Sequence, residues 1–462
     1  MEKPFIGRHA ELSILEKEFA EGSGVIAIAG RSGVGKTRLL REFSRNRNVL
    51  HFNAPPLNDR MLLGEFDRAV SAYCGKRPGN RSWYGAFDTF ASHSDNLRIL
   101  ILDDFQNLTV SGGFLSELRD SWDNLLSAGN VLLILCGSVV SSMESMGSDT
   151  DNPMFGTVRR SMVLEPLGFG EIQSDFIESI MSYSMHGGIP GVMSQLSDIT
   201  DQEEMFSILS DPDSPTFDRV TNALSSEVKG VPVYLSIMKA IANGMNRITQ
   251  ISEAVGIPPT TLNAYLRKLL DNGAVRRTVP ATDYFPEKSK SGIYSIADYN
   301  SLFWLRFVLP HLSDIMMRDF RVARKDFQDN RMEALVRPAF RDVCIERLQS
   351  YTDDIGFMPI VYGRYWNKDM DMDIIALNPA KKRALVARCY CRGTKVGRID
   401  LNALIRAAGR INELRGYIVK LGMFSTDGFE EDLMAEQNLL LIHGDRAVGR
   451  RSEGILDEDA GI

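Results

Sequence analysis

The sequence predicts a multidomain α/β protein with a phosphate-binding core, and three observations predict it. At 462 residues the chain is longer than one hydrophobic core normally serves, so two to four domains are expected. Near the start, an apolar strand runs directly into a glycine-rich loop and a helix. Further along, a helix-turn-helix pattern precedes a region in which strands and helices alternate.

Composition restricts the class of protein. Hydrophobic residues make up 44% and charged residues 24%, and 53 basic against 60 acidic residues leave a net charge of −7. The overall charge therefore does not indicate a nucleic-acid binder, although a local basic face remains compatible with it. The sequence has neither an uncharged run long enough for a bilayer nor a signal-peptide core, and its five cysteines are scattered. We expect a cytoplasmic protein with reduced thiols and no membrane partner.

The glycine-rich loop carries the strongest functional signal. The stretch "GVIAIAGRSGVGKTRLL" places the strand Val25–Ala29 before a complete phosphate-binding motif and a helix. Backbone N–H groups of such a loop surround phosphates, and the positive end of the helix faces them. Lys36 is expected to bind the β- and γ-phosphates of ATP, and the Thr37 hydroxyl to bind Mg²⁺. The predicted nucleotide contacts in this loop are Gly30, Arg31, Ser32, Gly33, Val34, Gly35, Lys36, Thr37 and Arg38.

Two later strands supply further candidates. The stretch "LRILILDDFQNL" predicts a buried strand, Ile99 to Leu102, followed by Asp103 and Asp104. Asp103 suits Mg²⁺, and Asp104 suits the polarisation of an attacking water, so both join Lys36 as catalytic candidates. The strand "NVLLILCGS" ends at Ser138, where a γ-phosphate contact and an ordinary turn serine are both reasonable interpretations.

Arg159 and Arg160 are predicted to lie just before another strand. An arginine that reaches the γ-phosphate would stabilise charge during transfer, and Arg160 is the candidate. An exposed pair that forms surface ion pairs remains the alternative.

The middle of the chain predicts a winged helix. The stretch "ISEAVGIPPTTLNAYLRKLLDNG" gives a helix, a turn at Gly256 to Pro258 and a second helix, and "GAVRRTVP" with "GIYSIAD" would form the wing. Side chains in this unit that could contact DNA are Thr260, Asn263, Arg267, Lys268, Arg276 and Arg277. Because the basic excess is small, a packing or partner-docking role remains open.

The last part of the chain predicts a mixed α/β domain. After an aromatic, amphipathic stretch comes a helix at about 333–350, followed by strands at 357–365, 372–378 and 383–390. A helix, a strand, a helix and a strand then follow to residue 442. A mixed sheet with helices on both faces accommodates this order.

Several motifs together resemble a known family. The segments "PFIGRHAELSILEKEF", "GRSGVGKT", "LILDDFQNL", "LCGS" and "GGIPGVM" occur in the order seen in archaeal-type ATPases of the STAND class, which are related to AAA+ proteins. The resemblance implies that Phe5 to Arg8, with Ile6 and Arg8 as contacts, lie beside the adenine. It also implies that Pro190 caps the base from a helical lid, and that ATP turnover is slow.

The same resemblance implies a C-terminal domain like a restriction endonuclease, of the PD-(D/E)XK type. The aspartate of that motif matches Asp373, with Asp371 two residues before it, but its glutamate and lysine positions fall on Arg388 and Tyr390. A guanidinium in place of a carboxylate removes a metal ligand, so nuclease activity is expected to be lost, with Arg388 paired to one of the aspartates. The alternative is that another carboxylate, such as Glu346 on the preceding helix, rebuilds the metal site and restores nuclease activity.

Basic residues in this domain leave a binding role open. They occur in one stretch, as Lys381, Lys382, Arg383, Arg388, Arg392, Lys395, Arg398 and Arg406. They could bind the phosphate backbone of a nucleic acid. Equally, they could form a solvent-exposed face whose charge is balanced by acidic neighbours such as the terminal segment "SEGILDEDAGI".

The predicted organisation has five parts. These are an ATPase core at 1–165, a helical lid at 166–229, a winged helix at 230–297, a helical connector at 298–335 and the nuclease-like domain at 336–462. We expect a switch that binds ATP or ADP. Its possible further partners are DNA, another protein or a second copy of this chain. The alternatives are a DNA-binding regulator or defence component and, less favoured, an active metal-dependent nuclease.

Overall fold

The computed structural model describes residues 5–93, 96–110, 113–172, 175–196 and 199–448. Its N-terminal part is built on a five-stranded sheet with the order β2-β3-β4-β1-β5, in which every neighbouring pair is parallel. The five strands are β1 Gly24–Ala29, β2 Val49–Asn53, β3 Arg98–Asp103, β4 Val131–Gly137 and β5 Val158–Val163. Because the three central strands β1, β3 and β4 are buried along their whole length, their sequences are continuous apolar runs instead of alternating ones.

Helices cover both faces of this sheet and create two separate hydrophobic cores. One core lies between the sheet and aromatic helices that include Phe66, Phe87 and Phe90. The other lies under the helix that follows the glycine-rich loop, with Leu39, Leu40 and Phe43. The helices of this part include His9–Ala20, Lys36–Phe43, Asp59–Cys74, Trp83–Ala91, Phe114–Ser121 and Val140–Ser148.

The predicted lid and winged helix share one hydrophobic core. Met185 and Ile189 from the lid, Leu262 and Leu266 from the winged helix, and Phe327 from the connector belong to a single buried cluster. The lid helices are Phe169–Ile172, Phe176–His186, Pro190–Met193, Gln202–Leu209 and Arg219–Glu227. One buried cluster contains side chains from the lid, the winged helix and the connector, so these parts are packed together.

The winged helix has the predicted elements. Its helices are Val231–Ala242, Ile248–Val255 and Pro259–Asp271, and the turn between the last two uses Gly256 at φ 69°. The wing is an antiparallel pair, β6 Val275–Thr278 and β7 Ile293–Ile296. A helical connector follows, with α-helices Tyr299–Phe303, Leu312–Met316 and Arg321–Arg331.

The C-terminal domain is a six-stranded mixed sheet with the order β13-β12-β11-β10-β9-β8. The strands are β8 Val361–Trp366, β9 Asp371–Asn378, β10 Arg383–Tyr390, β11 Ile418–Ser425, β12 Leu439–His443 and β13 Arg446–Val448. Helix Arg337–Glu346 packs on one face and helix Arg398–Ala408 on the other. The first face also buries Phe169, Phe176 and Ile180 of the lid, which attaches this domain to the lid through a common core.

The predicted fold class is confirmed, with local differences. Arg159 and Arg160 lie inside β5 and not before it, because this edge strand has exposed positions that tolerate charge. The short strand β13 was not expected, since three residues carry too little periodicity to be recognised. The acidic segment 452–462 falls outside the described residues. Across the described chain, no helix has both the length and the apolar character needed to span a bilayer.

Candidate functional site

The glycine-rich loop has the geometry that phosphate binding requires. Gly33 and Gly35 have φ angles of 86° and 95°, a region that side chains strongly disfavour. A methyl group on Gly35 would also lie 3.3 Å from Pro190 Cγ of the lid. The lid touches the loop directly, since the Gly191 N–H donates to the Gly33 carbonyl at 3.1 Å. Glycine is therefore needed both for the loop conformation and for close approach of the lid.

Lys36 and Thr37 start the helix Lys36–Phe43 at the carboxyl end of β1. The buried Lys36 ammonium donates to the carbonyl oxygens of Gly30 at 2.6 Å and Arg31 at 3.3 Å. Burial lowers the pKa of Lys36, and the nearby Asp103 carboxylate partly offsets this. The loop thus holds its lysine at the place where phosphate oxygens would replace the carbonyl contacts.

Asp103 lies at the end of β3 next to Thr37. The Thr37 hydroxyl donates to Asp103 Oδ2 at 2.8 Å, and His51 Nε2 on β2 lies 3.3 Å from the same oxygen. Burial alone would raise the pKa of Asp103, but hydrogen bonds from His51, Cys136, Thr37 and the backbone outweigh it and lower the pKa to about 2. An ionised carboxylate beside a hydroxyl supplies the hard oxygen donors that Mg²⁺ prefers, so these residues fit the ion.

A cavity of about 850 Å³ opens between the loop and the lid. Most of the predicted contacts line it, namely Ile6, Arg8, Gly33, Val34, Gly35, Lys36, Thr37, Arg38 and Pro190. The lid adds Ser182, His186 and Met193, which the sequence did not single out. A volume of this size lies within the range of small-molecule sites.

Arg8 joins the loop to the lid. It is almost fully buried, and its guanidinium donates to the carbonyl of Val34 at 3.0 Å, to the carbonyl of Glu165 and to the Glu11 carboxylate at 2.7 Å. Its backbone N–H donates to Glu171 at 2.9 Å. Arg8 therefore lines the cavity while hydrogen bonds from both terminal nitrogens of its guanidinium hold the cavity wall together.

Asp104 and Ser138 are connected by a residue that the sequence did not indicate. Gln106 donates to Asp104 Oδ1 at 3.2 Å and accepts from the Ser138 backbone N–H at 3.1 Å. Asp104 itself has φ 51°, an unfavourable conformation for a non-glycine residue. Gln106 thus fixes the two strand ends relative to each other, but the cavity walls include neither Asp104 nor Ser138.

The structure places Arg160 away from this cavity. Arg160 lies opposite Ile26 in the β1–β5 register, three residues before the end of β1, and its Nε donates to Glu18 at 3.1 Å. Arg159 uses the same carboxylate at 2.6 Å. The prediction that Arg160 contacts the γ-phosphate is therefore wrong for this structure, because both arginines bind the helix His9–Ala20.

A buried ion cluster links the glycine-rich loop to the winged-helix half. Arg31 Nη1 lies 2.7 Å from Asp298 Oδ2, and Arg219 Nη2 lies 2.7 Å from Asp298 Oδ1. Arg31 also donates to the carbonyl of Gly273, just after the helix Pro259–Asp271, at 3.3 Å. Burial raises the pKa of Asp298, but the Arg219 and Arg31 guanidinium groups outweigh it and hold the pKa well below its usual range. No sequence signal indicated this cluster, because its members are up to 267 residues apart.

The region that was predicted to be nuclease-like has a different arrangement from the one expected. Asp373 is buried and accepts from the Cys389 N–H at 3.1 Å, while Asp371 pairs with Arg364 at 2.9 Å. Arg388 is directed to the carbonyl oxygen of Asp371 at 3.5 Å instead of a carboxylate. Glu346 lies against the lid, where its Oε1 is 3.0 Å from a methyl group built on Gly168. Within the described ranges, no group of three or more His, Cys, Asp or Glu side chains could hold a metal ion.

The candidate DNA contacts of the winged helix divide into two groups. Thr260, Asn263, Arg267 and Lys268 are exposed on the helix Pro259–Asp271. Arg276 instead forms an ion pair with Asp342 of the C-terminal domain, and Arg277 donates to the carbonyls of Pro286 and Ser289 in the wing loop. Arg276 and Arg277 are therefore occupied by contacts within the protein, which their sequence context did not reveal.

Comparisons with protein families match three parts of the chain. Residues 19–139 match an AAA domain, residues 241–276 a winged helix-turn-helix DNA-binding domain, and residues 304–398 a family described as "Archaea bacterial proteins of unknown function". The chain is 27% identical over 394 residues to an uncharacterized protein of Methanocaldococcus jannaschii, covering 82% of this chain and 86% of that one. A shorter uncharacterized protein of the same organism is 34% identical over 88 residues, covering 18% of this chain and 85% of that one.

Solved structures with partial similarity share low sequence identity with the chain. The Aeropyrum pernix ORC2 protein in ADPNP–ADP complexes aligns with a TM-score of 0.44 and 16% identity, over 69% of this chain and 98% of that one. A Pyrococcus horikoshii STAND protein with a tetratricopeptide repeat sensor aligns with a TM-score of 0.26 and 15% identity, over 77% and 52%.

The sequence matches and the glycine-rich loop together give the class of the protein. The AAA match contains Lys36, Thr37, Asp103 and Asp104, and the winged-helix match overlaps the helices observed at Ile248–Val255 and Pro259–Asp271. The chain contains a P-loop AAA domain and a winged helix, and it belongs to one family with the shorter M. jannaschii protein.

His186 in the cavity wall makes stability depend on pH. Burial lowers the pKa of His186 to about 4 from 6.5, so the unfolded chain binds a proton at a pH where the folded chain does not. Stability is therefore unaffected well above pH 6.5 and falls as the pH drops from there toward 4. The loss is about 2 kcal/mol by pH 5 and about 3 kcal/mol below pH 4.

We expect His186→Gln to remove this loss while an amide oxygen replaces Nδ1 as acceptor for the Gly188 N–H. Between about pH 7.5 and 5, the variant should lose about 2 kcal/mol less unfolding free energy than the wild type in urea titrations. Parallel stability curves for the two proteins would contradict the assignment of a neutral buried imidazole.

Proposed function

We propose that this chain is a nucleotide-driven switch of the STAND type. It binds ATP with Mg²⁺ between the AAA core and the lid, and the nucleotide state sets the position of the winged helix and the C-terminal domain. Hydrolysis is slow. The proposed boundaries are a core at 1–165, a lid at 166–229, a winged helix at 230–297, a connector at 298–335 and a nuclease-like output domain at 336–462.

The observation that carries the proposal is the contact of Arg31 with Asp298. Arg31 lies inside the phosphate-binding loop, yet its side chain is not part of the nucleotide cavity. It reaches the opposite way, to the carboxylate that follows the wing strand β7 and caps the helix Tyr299–Phe303. Any adjustment of the loop around phosphates therefore acts on the junction between the winged helix and the connector.

Packing explains how such an adjustment would spread. The AAA core has its own two hydrophobic clusters, whereas the lid, the winged helix and the connector share a third. The lid also shares a fourth with the C-terminal domain. The two halves meet through hydrogen bonds and ion pairs around the cavity, including Gly191 with Gly33 and Arg8 with Glu171. A closing movement of the lid would hence carry both C-terminal modules as one body.

The chemistry proposed for hydrolysis uses four side chains. Lys36 would neutralise the β- and γ-phosphates, and Thr37 with Asp103 would hold Mg²⁺, which supplies charge stabilisation for phosphoryl transfer when it is bound. Asp104 would orient the attacking water. Its carboxylate is already engaged by Gln106, and this competition supports a low rate of turnover.

The C-terminal domain is proposed to act without cutting DNA. Asp373 is buried against a backbone N–H, and the Asp371 carboxylate pairs with Arg364. Arg388 brings a guanidinium to the position at which the resembling nucleases have a metal-binding glutamate. These contacts favour a scaffold that binds or docks over a catalyst that needs Mg²⁺.

A second candidate function is binding of duplex DNA. Arg267 and Lys268 are exposed on the second helix of the helix-turn-helix, and neither makes an ion pair with any described residue. Thr260 and Asn263 precede them on the same exposed side of the helix. A helix that carries unpaired cations and short polar side chains suits the major groove.

The nucleotide site is tested by Lys36→Ala. Loss of the ammonium leaves the phosphate charge without its buried counter-ion, so affinity for ATP with Mg²⁺ should fall at least about 100-fold in calorimetric titrations. Arg41→Ala, which removes an exposed cation from the same helix, is the matched control and should bind like the wild type. Undiminished affinity in the Lys36 variant would remove the basis for the proposed site.

The coupling is tested by Arg31→Ala, which keeps Arg219 paired with Asp298. Asp298→Ala is less suitable, because an unpaired buried arginine costs about 3–5 kcal/mol. In the wild type, an ATP analogue with Mg²⁺ should change hydrogen exchange at residues 272–275 and 298–303. In Arg31→Ala, that response should fall by at least about half while ATP affinity changes less than about threefold. An unchanged response would refute the Arg31 route.

Duplex binding is tested with Arg267→Ala/Lys268→Ala. Each cation that binds a phosphate releases counter-ions from the DNA. Because the variant lacks two such cations, the steepness of log affinity against log salt should decrease by about two units. Arg276→Ala/Arg277→Ala is the matched comparison, and its slope should stay close to the wild type because both guanidinium groups face protein atoms. If the second pair alone changed the slope, DNA would be contacting the wing and not the helix.

A further inference from the structure

We infer that the wing loop and the C-terminal domain together form a binding surface for single-stranded nucleic acid. We call it the aromatic–lysine surface, and it consists of Tyr284, Phe285, Lys288, Lys382, Tyr417 and Ile418. It lies outside the nucleotide cavity and does not include the exposed side of the helix Pro259–Asp271. The inference holds whether or not the proposed nucleotide switch is correct.

Two adjacent aromatic rings are exposed in the wing loop. Tyr284 is 72% and Phe285 69% accessible, an unusual exposure for two neighbouring large rings. On the C-terminal domain, Ile418 at the start of β11 is also 69% accessible. Exposed aromatic surface of this kind is costly in water unless a ligand covers it.

The loop that carries the rings is held in place at several points. The Ala281 N–H donates to the Arg364 carbonyl at 2.7 Å, and the Trp366 indole donates to the Ser291 carbonyl at 2.9 Å. From the wing strand β6, Arg277 donates to the carbonyls of Pro286 and Ser289. The rings are thus presented by an anchored loop, which lowers the entropy cost of binding.

The wing and the C-terminal domain contribute to one continuous surface. Tyr417 and Tyr284 are neighbours, since burial and then the nearby Tyr284 side chain raise the pKa of Tyr417. The Ile418 N–H donates to the Lys382 carbonyl at 2.8 Å, and Lys382 Nζ lies 4.9 Å from the centre of the Tyr417 ring. Lys288 Nζ lies 5.9 Å from the centre of the Phe285 ring. Rings therefore alternate with ammonium groups across the junction.

This alternation fits a single strand better than other ligands. Unpaired bases stack on aromatic side chains whatever their sequence, and the lysines that lie over the Phe285 and Tyr417 rings would neutralise nearby phosphates. Lys290 and Lys381 are exposed nearby and add positive charge. The acidic side chains of the wing loop are Glu287, which is exposed, and Asp283, which accepts from Ser289. A duplex, whose bases are already stacked, gains nothing from the rings.

The experiment measures binding of a labelled mixed-sequence DNA strand of about 20 nucleotides by fluorescence anisotropy, with the same sequence as a duplex for comparison. Tyr284→Ala and Phe285→Ala should each weaken binding of the single strand roughly tenfold and barely affect the duplex. Tyr284→Phe keeps the ring and should bind within about threefold of the wild type. Lys288→Ala and Lys382→Ala should each reduce the salt slope by about 0.7.

Matched controls use residues elsewhere on the protein. Met317→Ala removes an apolar side chain that is 81% accessible, and Lys17→Ala removes an exposed lysine, so both should bind like the wild type. Photo-crosslinking of a strand that contains 4-thiothymidine, followed by peptide mapping, should label the wing loop or the segment around Tyr417.

Three results would overturn the inference. In the first, Tyr284→Ala and Phe285→Ala leave the affinity for the single strand unchanged. In the second, these substitutions lower the affinity for strand and duplex equally. In the third, the protein does not bind the strand and sedimentation shows that it self-associates through the same surface. Failure of the nucleotide switch is distinguished by calorimetric titration of the wild type with ATP and Mg²⁺. A wild type that binds the strand but no ATP would refute the switch alone.

Discussion

The arrangement of this molecule depends on one buried carboxylate that lies between two arginines. Asp298 is 1% exposed at its side chain and receives Arg31 from the phosphate-binding loop and Arg219 from the lid, each at 2.7 Å. An isolated charge at such a depth would be strongly unfavourable, so the three groups stabilise one another only while the halves of the protein stay together. Hydrogen bonds from Ser301 complete the shell around the carboxylate. The ion cluster therefore specifies one relative position of the AAA core and the winged-helix half.

The distribution of hydrophobic cores determines which parts of the protein are held together rigidly. Apolar clusters hold the lid to the winged helix on one side and to the C-terminal domain on the other, and such packing resists small deformations. The AAA core is joined to these parts mainly through polar contacts around a cavity of about 850 Å³. Polar contacts exchange partners at lower cost than buried side chains repack. The proposed switch would bend at this boundary, which also contains the proposed triphosphate site.

The C-terminal half combines three surfaces with different chemical character. Charges around Asp371 and Asp373 are satisfied within the protein, by Arg364 and by a backbone N–H. The second helix of the helix-turn-helix leaves Arg267 and Lys268 directed to solvent. The aromatic–lysine surface spans the junction of wing and sheet, so its shape depends on the docking of one module against the other.

The sequence by itself determined the parts whose signals are local. A strand, a glycine-rich loop and a helix start are adjacent in the chain, so Lys36 and Thr37 were identified without the fold, and the apolar run before Asp103 did the same for that carboxylate. The helix-turn-helix was equally clear, because its turn needs Gly256 and Pro258 between two periodic segments.

The tertiary structure alone decided which distant charges meet. It brought Arg31 to Asp298, turned Arg160 toward Glu18, paired Arg276 with Asp342 and placed Glu346 beside the lid. The position of a charged residue in the sequence does not identify its ion-pair partner, because electrostatic attraction depends on separation in space and not along the chain. Pairing across hundreds of residues is therefore fixed only when the cores have packed.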